Sequence, residues 1–191
     1  MTELASLERF KTFWPRFWAG IVDGIVFMPL SLIDTWIWSN VSTPSLLAPW
    51  FVIYSFSFLA YSIILHGIYG QTIGKRFTGV KVLDVAESRL SMRQAVLRDS
   101  VYAALAFFSF VVGIPEVLTG INPNSPQVSS ISDLGLAATI SIYASMAWFI
   151  VELVTMLSNS KRRALHDFIA GSVVVRVNPS NIEHSSEDAA A

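Results

Sequence analysis

Asp23 lies inside an otherwise apolar run, from Arg16 to about Trp38, and a carboxylate in that setting is the first residue of this chain that could do chemistry. Seven residues at about 100° each leave Arg16 and Asp23 about 20° apart around a helix, and Asp34 returns to the same face. Arg16, Gly20, Asp23, Phe27, Leu30 and Asp34 thus form one stripe, flanked by the small residues Ala19 and Gly24. Along the axis Arg16 and Asp23 stand about 10 Å apart, too far for direct contact, so the cation that answers Asp23 is expected from another helix. Three further apolar runs carry polar residues at helical spacing: Ser55, Ser62 and His66; then Asp99, Tyr102, Ala106, Ser109 and Gly113; then Ser141, Ser145, Trp148 and Glu152. An ionisable side chain at membrane depth costs on the order of 3 kcal/mol, so these stripes must face one another or a wet cavity. The chemistry open to them is cation or proton exchange, with Asp23 the exchange carboxylate, Arg16 the group that tunes it, and Glu152, Asp99 and His66 further candidates. A structural reading stands beside this one. Arg16, Arg98 or Arg163 can simply neutralise Asp23, Asp99 and Glu152 and hold the helices in register, at about 0.6 kcal/mol per polar pair.

Other chemistries fail on residue type or spacing. The chain has no cysteine, which removes disulfides, thiolate metal sites and a cysteine nucleophile. Neither His66 nor His166 has a second ligand at metal spacing, and no G-x-S-x-G elbow is present. The stretch Gly70-Gln-Thr-Ile-Gly74-Lys75 tempts a phosphate-loop reading, but that pattern needs glycine at 69 and serine or threonine at 76, where this chain has Tyr69 and Arg76. Gly70, Gly74 and Gly79 read as turn residues instead. No enzymatic activity, metal, cofactor or nucleic-acid partner is expected.

The elements that must position these residues are membrane helices. The chain is 53% hydrophobic and 14% charged, with a mean hydropathy of +0.54. Crossing about 30 Å of hydrocarbon takes about 20 apolar residues, and four runs qualify, at about 16–38, 50–69, 98–118 and 134–157. All 13 lysines and arginines fall in 9–16, 75–98 and 161–176, and the loops 39–49 and 119–133 have none. This positive-inside pattern predicts cytoplasmic termini and a cytoplasmic 70–97 loop. Residues 1–15 read as an interfacial segment stopped by Pro15, not a cleaved signal, and 178–191 as a disordered tail. Gly79–Asp84 and Gly171–Val177 are β-branched runs on the same side and are expected to pair. Asp167 is expected to accept hydrogen bonds where the chain turns towards the second of them. Ser91-Met-Arg-Gln94 has capping-box spacing and predicts a helix start near Ser91.

Arg16-x-x-Ala19-x-x-x-Asp23 opens the first span, Gly70-Gln-Thr-Ile-Gly74-Lys75 follows the second, Arg98 opens the third, and Arg162-Arg163-Ala-Leu-His166-Asp167-x-x-Ala170-Gly171 follows the last. In this order and at these membrane positions, the motifs resemble the RDD family of membrane proteins over about residues 8–177. The resemblance implies that Arg16, Asp23 and Asp167 match the arginine and two aspartates of the family name. It also implies a bacterial cytoplasmic-membrane protein and a transport role, with sodium/proton antiport attributed to some members. Ser172 departs from the threonine expected after Ala170-Gly171 but keeps a hydroxyl.

The expectation is therefore an all-α polytopic membrane protein of four transmembrane helices, carrying a small cytoplasmic cap with two short β-strands. Its expected function is transport of a monovalent cation, proton or small solute, by a homo-oligomer in the lipid bilayer, since four helices rarely enclose both a path and a gate. The alternative is a non-transporting scaffold or assembly subunit that binds a partner through its cap.

Overall fold

Several elements follow from a local signal at their start or end. The computed structural model describes residues 8–119 and 136–177. Residues 1–7 of the expected 1–15 segment, most of the 119–133 loop, the start of the fourth span and the 178–191 tail lie outside them. Helix α1 (Phe13–Asn40) begins three residues earlier than Arg16, because Pro15 falls in the first turn, where a missing N–H loses no hydrogen bond. Helix α2 (Pro44–Tyr69) opens on a proline at its first position and ends at Gly70, whose φ of 70° is the left-handed cap that favours glycine. A five-residue helix, α3 (Ile73–Phe77), is capped by the Thr72 side chain and leads into strand β1 (Val80–Asp84). Ser91 and Gln94 form the expected capping box of α4 (Met92–Arg98).

The third span is not the straight helix its hydropathy suggests. The chain breaks at Asp99, and α5 (Ser100–Leu118) leaves at an angle to α4; the bend is 57°. Helix α6 (Leu136–Leu157) is followed by α7 (Leu165–Ile169) and strand β2 (Ser172–Arg176). Among the described residues three helices are long and apolar enough to cross a membrane, and a fourth if the bent pair is one span.

Strands β1 and β2 pair antiparallel, from Val80 opposite Arg176 to Asp84 opposite Ser172. Val80, Val82 and Val174 pack with Leu90 and Ala95 on one side of this sheet. Val173 and Val175 pack on Phe10 on the other, which explains a strand of consecutive valines buried on both faces. The cap is thus built like a small soluble core. The helices are the reverse, with Ile25, Leu32, Ile53, Phe149 and Val154 more than a third exposed on outward faces, as residues facing lipid are.

Candidate functional site

The polar stripes meet where the helix bundle joins the cap, and they sort into three clusters. The first fastens α3 against α1. Asp23 Oδ1 accepts from Tyr61 Oη at 2.7 Å and from the Gly74 amide at 2.7 Å, and Oδ2 accepts from Thr72 Oγ1 at 2.7 Å. Tyr61 Oη in turn accepts from the Ile73 amide. Among the described residues no cation pairs with Asp23, so the expected cationic partner is replaced by neutral donors, one from α2 and two from the start of α3. The approach requires Gly74, since a Cβ there would overlap the Ala19 carbonyl oxygen and lie 2.8 Å from the Asp23 carboxyl carbon.

The second cluster ties the cap to the helices through Asp167, which is fully buried. Its carboxylate accepts from Arg16 Nη1 at 2.7 Å and closely from Arg98 Nη1. It also accepts from the Ala164 amide at 3.0 Å, so Asp167 caps its own helix from the third position, and from Ser172 Oγ at 3.2 Å. Burial by itself would raise this carboxyl, but the guanidiniums of Arg16 and Arg98, with His166 beside them, hold it well below the usual carboxylate range. Arg98 also donates to Ser172 Oγ and, through Nη2, to His166 Nε2 at 2.7 Å. That acceptor role puts the imidazole proton on Nδ1, which lies against Glu152 Oε2 without hydrogen-bond alignment. Glu152 Oε1 accepts from the His166 amide at 3.0 Å. Burial, then the Arg98 charge, lower the His166 pKa. Arg163 neutralises none of the three acids; it donates to the backbone carbonyls of Ser172 and Asp167.

The third cluster is a linear chain of hydrogen bonds. Lys75 Nζ lies 2.6 Å from His66 Nε2, His66 Nδ1 lies 3.2 Å from Ser62 Oγ, and Ser62 Oγ donates to Asp99 Oδ2 at 2.7 Å. An ammonium only donates, so Nε2 accepts and the imidazole holds its proton on Nδ1, facing Ser62. Burial, then the charges of Arg98 and Arg16, lower the Lys75 pKa to about 7. Asp99 reaches Ser62 from the bend between α4 and α5.

These clusters border one cavity of about 530 Å³. Arg16, Asp23, His66, Lys75, Arg98, Asp99 and His166 line it, with Phe58, Leu59 and Leu105 as apolar wall. Ser55, Ser62, Tyr102, Ser109, Ser145 and Trp148 of the predicted stripes line it too. Asp34 does not join them; it accepts from the indoles of Trp38 and Trp50, near the far end of α1. Gly70 is also a structural residue, as a Cβ there would meet the Val82 carbonyl oxygen at 2.8 Å. Sequence reasoning missed Tyr61 and Thr72 as partners of Asp23. Thr72 carried a signal as the residue before a short helix, whereas Tyr61 carried none.

A bundle of long apolar helices around a charged, partly enclosed cavity, with a small two-stranded cap, defines a multi-pass membrane protein. The RDD family matches residues 10–171, and the chain belongs to that family. Neither the curated proteins nor the solved structures supply a match.

Proposed function

We propose that this protein transports a small solute through the polar cavity, coupled to proton movement, with the cap on the cytoplasmic side of a bacterial inner membrane. The observation that carries this reading is the chain Lys75–His66–Ser62–Asp99 along the cavity wall. If Lys75 passes a proton to His66 Nε2, His66 can pass its Nδ1 proton to Ser62, and Ser62 its own to Asp99. One proton moves from Lys75 to Asp99 and no group leaves its place. With its pKa near 7, Lys75 reloads from water at neutral pH. In this reading Asp99 is the exchanging carboxylate and Asp23 a fastening, since both Asp23 oxygens already accept hydrogen bonds. The placement of every lysine and arginine towards the cap side supports the orientation. A homo-oligomer supplies the walls that one chain lacks.

The test is reconstitution into proteoliposomes holding a pH-sensitive dye, challenged with sodium, potassium and solute gradients. Wild type should move protons, and Asp99→Asn should abolish the signal with an unchanged melting temperature. A folded wild type that moves nothing under any gradient would refute transport and favour a subunit that binds a partner through its cap.

A further inference from the structure

Arg16 is oddly used for so buried a side chain. Only 10% of it is exposed, it lines the cavity, and Nη1 is taken by Asp167. Its other two nitrogens, Nε and Nη2, have no hydrogen-bond partner among the described residues. A buried donor without an acceptor loses its water without replacing it, so an unfilled pair needs a reason. The identity of the free pair is informative. Nε–H and Nη2–H point in parallel along one edge of the guanidinium, the spacing that matches the two oxygens of a carboxylate.

The rest of the lining agrees. Among the described residues Arg16, Lys75 and Arg98 line the cavity beside the carboxylates of Asp23 and Asp99, and Asp167 pairs with both arginines from behind the wall. Asp23 has both oxygens engaged, and Asp99 accepts from Ser62. The unmet need is therefore for an acceptor on the Nε–Nη2 edge of Arg16. Beyond the charged end Phe58, Leu59, Leu105 and Ala106 form apolar wall, with Ser55, Ser109, Ser145 and Trp148 between them and no second charged side chain among the described lining residues, which suits a short hydrocarbon.

We propose that the cavity is a binding site for a small organic monocarboxylate, its two oxygens on the Nε–Nη2 edge of Arg16, its charge shared with Lys75 and its apolar part against Phe58, Leu59 and Leu105. This deepens the transport reading by naming the substrate class and rests on the same cavity. A carboxylate bound beside Lys75 would travel with the proton that Lys75 holds, giving an electroneutral pair. The carboxylate could be that of a soluble short-chain acid or of a free fatty acid entering from the bilayer.

The experiment is calorimetric titration of the purified chain in nanodiscs with hexanoate, beside hexanol and hexylamine. Hexanoate should bind, and the alcohol and the amine should bind at least about tenfold more weakly. Arg16→Lys keeps a cation for Asp167 but lacks the paired edge, and should weaken hexanoate about tenfold or more. In case that variant unfolds, Ala106→Phe fills the apolar part without removing a hydrogen bond, and should abolish binding at unchanged melting temperature. Nanodiscs loaded with decanoate separate the sources. A melting-temperature rise on loading decanoate, absent from Arg16→Lys, with no binding of hexanoate assigns the site to a lipid carboxylate, and hexanoate binding assigns it to a soluble one. Binding of neither acid, or equal binding of hexanoate and hexylamine, overturns the proposal. Binding without flux in proteoliposomes keeps the site and removes the transport reading; cation-driven flux without carboxylate binding does the opposite.

Discussion

Replacing Asp167 by asparagine tests the central contact between cap and bundle. The side chain is fully buried and its carboxylate accepts from two guanidiniums, one backbone amide and one hydroxyl. Asparagine keeps one acceptor oxygen, which in the place of Oδ2 can still cap Ala164 and accept from Arg16, but it carries no charge and turns its amide donor towards Arg98. Arg98 retains Ser172 and His166 as partners. Arg16 retains one neutral acceptor and no counter-charge among the described residues, because its other nitrogens are already unpaired. Breaking a buried pair from one side costs about 3–5 kcal/mol. At about 2–4 °C per kcal/mol for a chain of this length, the melting temperature should fall by about 10 °C. The assay is thermal unfolding in detergent followed by tryptophan fluorescence, with hydrogen exchange over 165–176 to localise the loss to the cap. The double variant Asp167→Asn with Arg16→Met removes the stranded charge and should recover on the order of 2 kcal/mol. A single variant that melts within about 2 °C of wild type, or a double no better than the sum of its singles, would refute the reasoning.

Gly74→Ala should detach α3 from α1, because the added methyl overlaps the Ala19 carbonyl; cross-linking between positions 20 and 75 should fall while helix content by circular dichroism stays constant. Asp23→Asn should cost about 1 kcal/mol, and Asp23→Ala more than 2 kcal/mol because three donors lose their acceptor, with no rescue of either by Arg16→Gln, as thermal melts of each variant will read out. Acid should loosen the cap in two stages in a pH series of melts. His166, with its folded pKa below its unfolded one, contributes stability that is lost as pH falls below about 6.5, and Asp167 contributes stability that is lost only below about pH 4. Lys75 acts in the opposite window: the unfolded chain holds its proton from pH about 7 upwards when the folded one does not, so stability rises with pH there, a rise that Lys75→Met should remove. A cysteine at Ser45 should label from outside intact cells and one at Ser88 only after permeabilisation, and the reverse at either site would invert the orientation.

What the sequence determined is whatever depends on neighbours along the chain. Hydropathy over about 20 residues marks the spans, since the bilayer thickness fixes the length of an apolar helix. The Ser91–Gln94 capping box and the glycine at 70 are local signals and appear where their spacing puts them. The two valine-rich runs were legible as strands, and their position on one side of the membrane left each as the other's natural partner. Helical periodicity likewise put the polar residues on inward faces, and most of those stripes line the cavity.

Which polar group meets which was decided only by the tertiary structure. Arg16 and Asp167 are 151 residues apart, and several acids and cations sit at the same membrane depth, so spacing alone could not choose between Asp23, Asp99, Glu152 and Asp167 as its partner. Nor could it show that Asp23 needs no cation, because its donors are a hydroxyl, a phenol and a backbone amide, and the amide carries no signature in residue type. The bend at Asp99 has no glycine or proline beside it to mark it, yet it brings Asp99 to Ser62 and helps place Arg98 against Asp167. One-dimensional patterns fix the depth and the facing of a side chain. Its partner is set by how helices pack around one another, and that depends on contacts between residues far apart in the chain.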